Sequence, residues 1–259
     1  MRMRWAAAGP NRQSSATIMQ TRPAEEGITQ VALKPSAVAC VLGAVAVVLV
    51  IADIAGQLSR YVSGHDRVLG LVRLFDLDVE GNIPTLFSVF LLFFAALLLV
   101  VITSFKKMQA DRDVSRWAVL TIGFFFMAID EGASIHEMLI LPVRGLLGQG
   151  APGVFYWAWV VPGIAVVLVL ALYFFGFILR LPPRMRYTCL LAGFLYVGGA
   201  VGLELIGGYY AKLHGTRNLS YNMLVVVEES LEMAGSVLFI YALLRYLADN
   251  GRGVRIWFR

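Results

Sequence analysis

Three carboxylates, Glu228, Glu229 and Glu232, stand inside the stretch V-V-V-E-E-S-L-E-M-A-G-S from Val225 to Ser236, which is otherwise apolar enough to lie in a bilayer. Holding an ionised side chain in hydrocarbon costs about 3 kcal/mol on insertion scales, so acids kept there are read by default as functional. At ~100° per residue, Glu228 and Glu232 are one turn apart and Glu229 lies about 100° from Glu228. Asn222 and Ser236 fall within the same arc, which gives this helix one acidic face.

The same anomaly recurs in M-A-I-D-E-G-A-S-I-H-E, from Met127 to Glu137. On a continuous helix Asp130, Ser134 and Glu137 would share a stripe, Glu131 would lie ~100° away, and His136 would fall on the far side. Glu204 is the single acid of a glycine-rich apolar run, and Asp53 and Gln57 share a face near the end of another.

The chemistry open to this set is that of crowded carboxylates. Like charges oppose each other's ionisation and desolvation opposes it further, so either protons or cations must relieve the crowding. No Lys or Arg stands at comparable depth in the runs. A divalent metal is the economical solution: carboxylate oxygens suit Mg, Ca and Mn, and a histidine admits Zn or Fe. The expected ligands are Asp130, Glu137, Glu204, Glu228, Glu232 and His136, with Glu131 or Glu229 as general base on a metal-bound water. Asp53, Ser134, Asn222 and Ser236 are expected to support them from behind. A protonated, hydrogen-bonded network and a water-filled acidic cleft are the alternatives.

The elements that must position these groups are membrane spans. Of the 259 residues 59% are hydrophobic, with mean hydropathy +0.73, outside the range of soluble domains. Crossing ~30 Å of hydrocarbon takes about 20 apolar residues. Six runs qualify, at about 36–57, 83–104, 117–140, 155–179, 188–210 and 222–247, giving an all-α, polytopic membrane bundle over 34–248. Sixteen of the 22 Lys and Arg fall before the first run, in the second and fourth connections, or from Arg245 onward, so both termini are expected in the cytoplasm and the chain in a plasma (inner) membrane. Residues 1–33 read as a disordered cytoplasmic tail and 249–259 as a basic one. The +5 net charge follows this topology and forms no basic, aromatic-interleaved stripe, which excludes a nucleic-acid partner. Run direction then puts all the acids in the outer half, six of them about 9 to 15 Å below the outer boundary by helical rise.

Other features have plainer readings. Asp76, Asp78, Glu80 and Gly81 resemble the opening of an EF-hand calcium loop, but the twelfth position is Phe87 rather than Glu, so a solvated acidic turn is expected, able to lend an oxygen to a nearby cation. Tyr156, Trp157 and Trp159 suit an aromatic belt at the membrane interface. Gly198 and Gly202 form a G-x-x-x-G for close helix approach. Lys212 and His214 are expected to stay exposed, and Cys40 and Cys189 to be structural.

Nucleophile-elbow, Walker, H-E-x-x-H and dinucleotide motifs are absent, and three His residues cannot build the multi-histidine boxes of membrane desaturases. The inner halves of the runs carry no charge, which argues against a polar pathway. The expectation is a metal-dependent membrane enzyme, hydrolase or oxidoreductase, acting on a lipid or lipid-linked substrate. A proton- or cation-coupled transporter or channel subunit is the alternative from another class. A non-catalytic subunit whose acids pair with a basic membrane partner is the third.

Overall fold

The computed structural model describes residues 34–65, 68, 70–148 and 150–250. The expected tail over 1–33 lies outside them, as does all but the first two residues of the tail over 249–259.

Every regular element among the described residues is helical: α1 Pro35–Tyr61, α2 Leu71–Phe75, α3 Ile83–Met108, α4 Val114–Ala133, α5 Ile140–Leu147, α6 Val160–Arg180, α7 Pro183–Val197, α8 Glu204–His214 and α9 Leu219–Asn250. A 3-10 turn, His136–Leu139, precedes α5, and a π-helical segment, Gly198–Leu203, joins α7 to α8. Helix starts follow local chemistry. Proline at the first turn begins α1, α3 and α7, where its missing N–H costs nothing. The Asn82 side chain accepts from Thr85 N at 3.2 Å to open α3, and the Asn218 side chain accepts from Tyr221 N at 2.9 Å to open α9.

Four helical stretches are long and apolar enough to cross a membrane: α1, α3, α6 and the run Pro183–His214 that contains α7 and α8. α4 and α5 form a pair bent by 77°, a fifth candidate if taken together. α9 has 32 residues but carries the three glutamates, and it is not among them. The chain is thus an all-helical protein with four to five candidate spans, compatible with a multi-pass membrane protein.

The continuous helix expected over 117–140 is corrected here. α4 stops at Ala133, and Ser134 adopts the left-handed conformation at φ 48°, a conformation uncommon outside glycine. The Asp130 carboxylate stabilises the break, since its Oδ1 accepts the backbone N–H of His136 at 2.8 Å. Ser134 therefore does not continue a stripe from Asp130 to Glu137.

α9 is the central rod, packed on α7, α1 and α3, while α3 also lies along α4. Between helices in lipid the drive is close packing rather than water exclusion, and small residues let backbones approach. The close approach is made by Gly199 and Gly235. A Cβ on Gly199 would stand 2.7 Å from the Glu228 carbonyl oxygen, and one on Gly235 would stand 2.8 Å from Ala192 O and Tyr196 N. Gly198 and Gly202, the G-x-x-x-G pair, meet nothing within 4 Å. The π-helical turn shifts the register between α7 and α8, so sequence spacing mistakes which glycine faces α9.

One end of the bundle is filled. Leu99, Ile102, Trp117, Ile240 and Leu243 are almost wholly buried, and Trp117 packs edge-on against Phe177 at 5.0 Å and beside Tyr246 at 5.4 Å. Asp113 closes this end, taking Arg180 at 2.6 Å and Arg116 at 2.7 Å. These two cations hold the Asp113 carboxyl below the usual carboxylate range, Arg180 most strongly.

Candidate functional site

The opposite end is hollow. A cavity of about 320 Å³ is lined there by nine carboxylates: Asp78 and Glu80 before α3, Asp130, Glu131 and Glu137 around the α4 break, Glu204 at the start of α8, and Glu228, Glu229 and Glu232 on α9. Among the described residues His136 is the one histidine of the wall, and no Lys or Arg lines it. Trp157, Trp159, Tyr196 and Tyr221 add aromatic rings to the wall, and Thr85 and Thr216 add hydroxyls.

A chain of contacts ties three of these elements together. His136 Nδ1 meets Asp130 Oδ2 at 3.0 Å, the imidazole packs on the Trp159 ring with centroids 4.7 Å apart, and Trp159 Nε1 donates to Glu204 Oε1 at 2.9 Å. The α4 break makes this possible, because it swings His136 from the far side of a straight helix onto Asp130. With Nδ1 engaged by the carboxylate, Nε2 remains for a ligand, the arrangement that orients metal-binding histidines elsewhere. Asp130 is in this geometry the partner that sets His136, rather than a free ligand itself.

The π-helical segment does the equivalent for Glu204. Such segments often occur at functional sites because one extra residue per turn re-aims the side chains that follow. Here Ala200 and Glu204 both reach the cavity wall, while Gly199 presses against α9 between Glu228 and Glu232. Glu228 shares the wall with Glu204, and Glu229 shares it with Glu131 and Glu80.

Two of the expected supporting groups have other partners. Asp53 is 2% exposed and accepts from Gln57 Nε2 at 2.9 Å, the same amide reaching Asp76 at 3.0 Å. Asp76 also pairs with Arg60 at 2.9 Å. This buried cluster latches α1 to the acidic turn and is not part of the cavity wall. Asn222 donates to the Tyr61 hydroxyl at 3.1 Å and to Asn218 O at 2.9 Å, tying α9 to the end of α1. Ser236 is buried, and neither it nor Ser134 lines the cavity. A helical wheel gives the direction of a side chain but not which neighbour occupies that direction.

The acidic turn divides its oxygens: Asp76 is spent on Arg60, while Asp78 and Glu80 reach the cavity. Trp157 and Trp159, expected in an aromatic belt, are in the wall, and with them stand Tyr196 and Tyr221, which no spacing in the sequence marks as site residues. Lys212 and His214 are exposed, as expected of them.

Among the described residues no three His, Cys, Asp or Glu side chains are drawn together closely enough to hold a metal ion directly. The six expected ligands therefore line a space and do not form a preformed cage. At ~30 Å³ per water the cavity has room for on the order of ten waters, so a cation in it would keep much of its hydration.

A family model described as "Domain of unknown function (DUF8692)" matches residues 39–247. The chain belongs to that family. The match runs from α1 into α9 and takes in every residue of the cavity wall. No curated protein and no solved structure matches the chain.

Proposed function

We propose that the chain is a six-span membrane protein with both termini cytoplasmic, and that its carboxylate-lined cavity opens toward the outer face and holds a hydrated divalent cation for chemistry on a lipid or lipid-linked substrate. The observation that carries this reading is the composition of one wall: among the described residues, nine carboxylates and one histidine surround about 320 Å³, with no Lys or Arg. Carboxylates so placed favour a cation strongly, because each added negative charge lowers the energy of a positive ion in a poorly screened space.

In this reading Glu204, Glu228, Glu232 and the Nε2 of His136 hold the cation, partly through water. Magnesium keeps several waters as a rule, and calcium tolerates irregular oxygen sets, so both suit a cavity without a tight cage. Glu131 and Glu229, both in the wall, are the groups that take a proton from water directed at the substrate. The filled far end, with Leu99, Ile102, Trp117, Ile240 and Leu243 buried, supports a site entered from one side over a transport pathway.

Turnover tests the reading. The purified protein in nanodiscs of mixed phospholipids, supplied with Mg, Ca, Mn or Zn, is expected to release a water-soluble product only with a cation present. Glu131→Gln or Glu229→Gln should lower that rate about 100-fold or more while cation binding persists. No product from any lipid class, or cation flux through liposomes abolished by Glu228→Gln, would contradict an enzyme.

A further inference from the structure

A second cavity, of about 520 Å³, opens beside α5 and has the opposite charge. Arg144 on α5 and Lys212 on α8 stand in its wall with Leu141, Phe155 and Tyr156. The Arg144 guanidinium lies over the Tyr156 ring at 4.9 Å and donates to the Tyr156 carbonyl oxygen, and Lys212 Nζ donates to Ala151 O at 2.8 Å. Among the described residues neither cation has an acidic partner. Each keeps N–H donors to spare, since a guanidinium has five and an ammonium three. Backbone carbonyls thus hold both groups in place without neutralising them.

The surroundings are apolar and uncovered. Met138, Leu141 and Leu146 are 69%, 76% and 88% exposed, and Leu213 beside Lys212 is 59% exposed. α5 leaves α4 at 77°, so where α4 runs across a bilayer α5 runs nearly along its surface. A short helix in that position buries its leucines among acyl chains and keeps its cation at headgroup depth.

We propose that Arg144 and Lys212 form a seat for the phosphate of a membrane phospholipid, whose acyl chains lie against Leu141, Leu146 and Phe155. Charge complementarity favours a phosphodiester, because two unneutralised cations meet one anion, and Arg binds phosphate by parallel N–H bonds. The leucines around the cations favour a lipid over a soluble phosphate. None of these residues belongs to the proposed cation cavity, so each proposal can fail alone. Tyr156 in this seat and Trp157 in the carboxylate wall pack edge to face at 4.9 Å, which sets the lipid beside that cavity.

Native mass spectrometry of the full chain released from mixed-lipid micelles tests the seat. The wild type is expected to retain phosphatidylglycerol or phosphatidylethanolamine in preference to uncharged diacylglycerol. Arg144→Gln with Lys212→Gln should lower retention about ten-fold or more, while Arg144→Lys with Lys212→Arg keeps most of it and serves as the folded control. Glu228→Gln with Glu232→Gln should leave retention unchanged. Equal retention by the doubly neutral variant, equal uptake of diacylglycerol, or displacement of the lipid by excess inorganic phosphate would each overturn the proposal.

Discussion

At the scale of single residues, the site depends on who donates to whom. Trp159 gives Glu204 an N–H donor at 2.9 Å and gives His136 a ring to pack on at 4.7 Å. Trp159→Phe keeps much of the ring contact and deletes the hydrogen bond, and a bond to a carboxylate is worth about 1.5–3 kcal/mol. A loss of that order is expected in chemical denaturation of the detergent-solubilised protein; no change would mean Glu204 is satisfied otherwise. Asp113 offers a pH-resolved case. Arg180 and Arg116 hold its folded pKa below the usual value of 3.8, so its contribution is complete above that value and is lost only as pH falls through the lower, folded one. Asp113→Asn should therefore melt earlier than wild type by the same margin at pH 8 and pH 5, with the gap closing only in stronger acid. A gap that grows between pH 5 and pH 8 would contradict the assignment.

At the scale of elements, glycine placement decides how α9 meets its neighbours. A Cβ on Gly199 or Gly235 would fall 2.7–2.8 Å from backbone atoms that cannot swing away, and overpacking of this kind costs about 1–3 kcal/mol. Gly199→Ala and Gly235→Ala should each destabilise by that order, and Gly199→Ala should also disturb Glu228 and Glu232. Gly198→Ala and Gly202→Ala, with nothing within 4 Å, should leave stability unchanged or slightly raised. Thermal melts of the four variants separate the two pairs, and the reverse order would show that α7 and α9 pack differently.

The same elements show what the sequence could disclose. The long apolar rods were legible because about 20 apolar residues in a row have few other uses. The gathering of acids near one end was legible from run direction and a rise of 1.5 Å per residue. The break after Ala133 was not, since no proline marks it and a left-handed serine is held there by Asp130 bonding to His136, a contact invisible before the chain turns. Trp157 and Trp159 were ambiguous in kind, because the ring types that suit a membrane interface also suit a pocket wall. Asp53 and Asn222 were misplaced because direction around a helix says nothing about Gln57, Asp76 or Tyr61 lying in the way.

At the scale of the whole molecule, the bundle is polarised: one end packed with Trp117, Phe177, Leu243 and Tyr246, the other hollow and acidic. That polarity fits a protein sealed on one side and open on the other, which the proposed topology makes the cytoplasmic and outer sides. Single cysteines in a cysteine-free background test it. Thr216→Cys, beside the cavity, should react with a membrane-impermeant maleimide added to intact cells, while Arg112→Cys, between α3 and α4, should react only after lysis. The opposite pattern would invert the membrane orientation and leave the cavity in the cytosol.

The binding of a divalent cation to the carboxylate cavity is tested most directly by isothermal titration of the purified, chelator-stripped protein with calcium, magnesium, manganese and zinc in turn. At least one of these ions is expected to bind the wild type with saturable stoichiometry. That binding should be lost in Glu228→Gln with Glu232→Gln, provided the variant melts as a folded protein. Saturable binding of equal strength in that folded variant, or no binding of any of the four ions to the wild type, would contradict a cation site among Glu204, Glu228, Glu232 and His136.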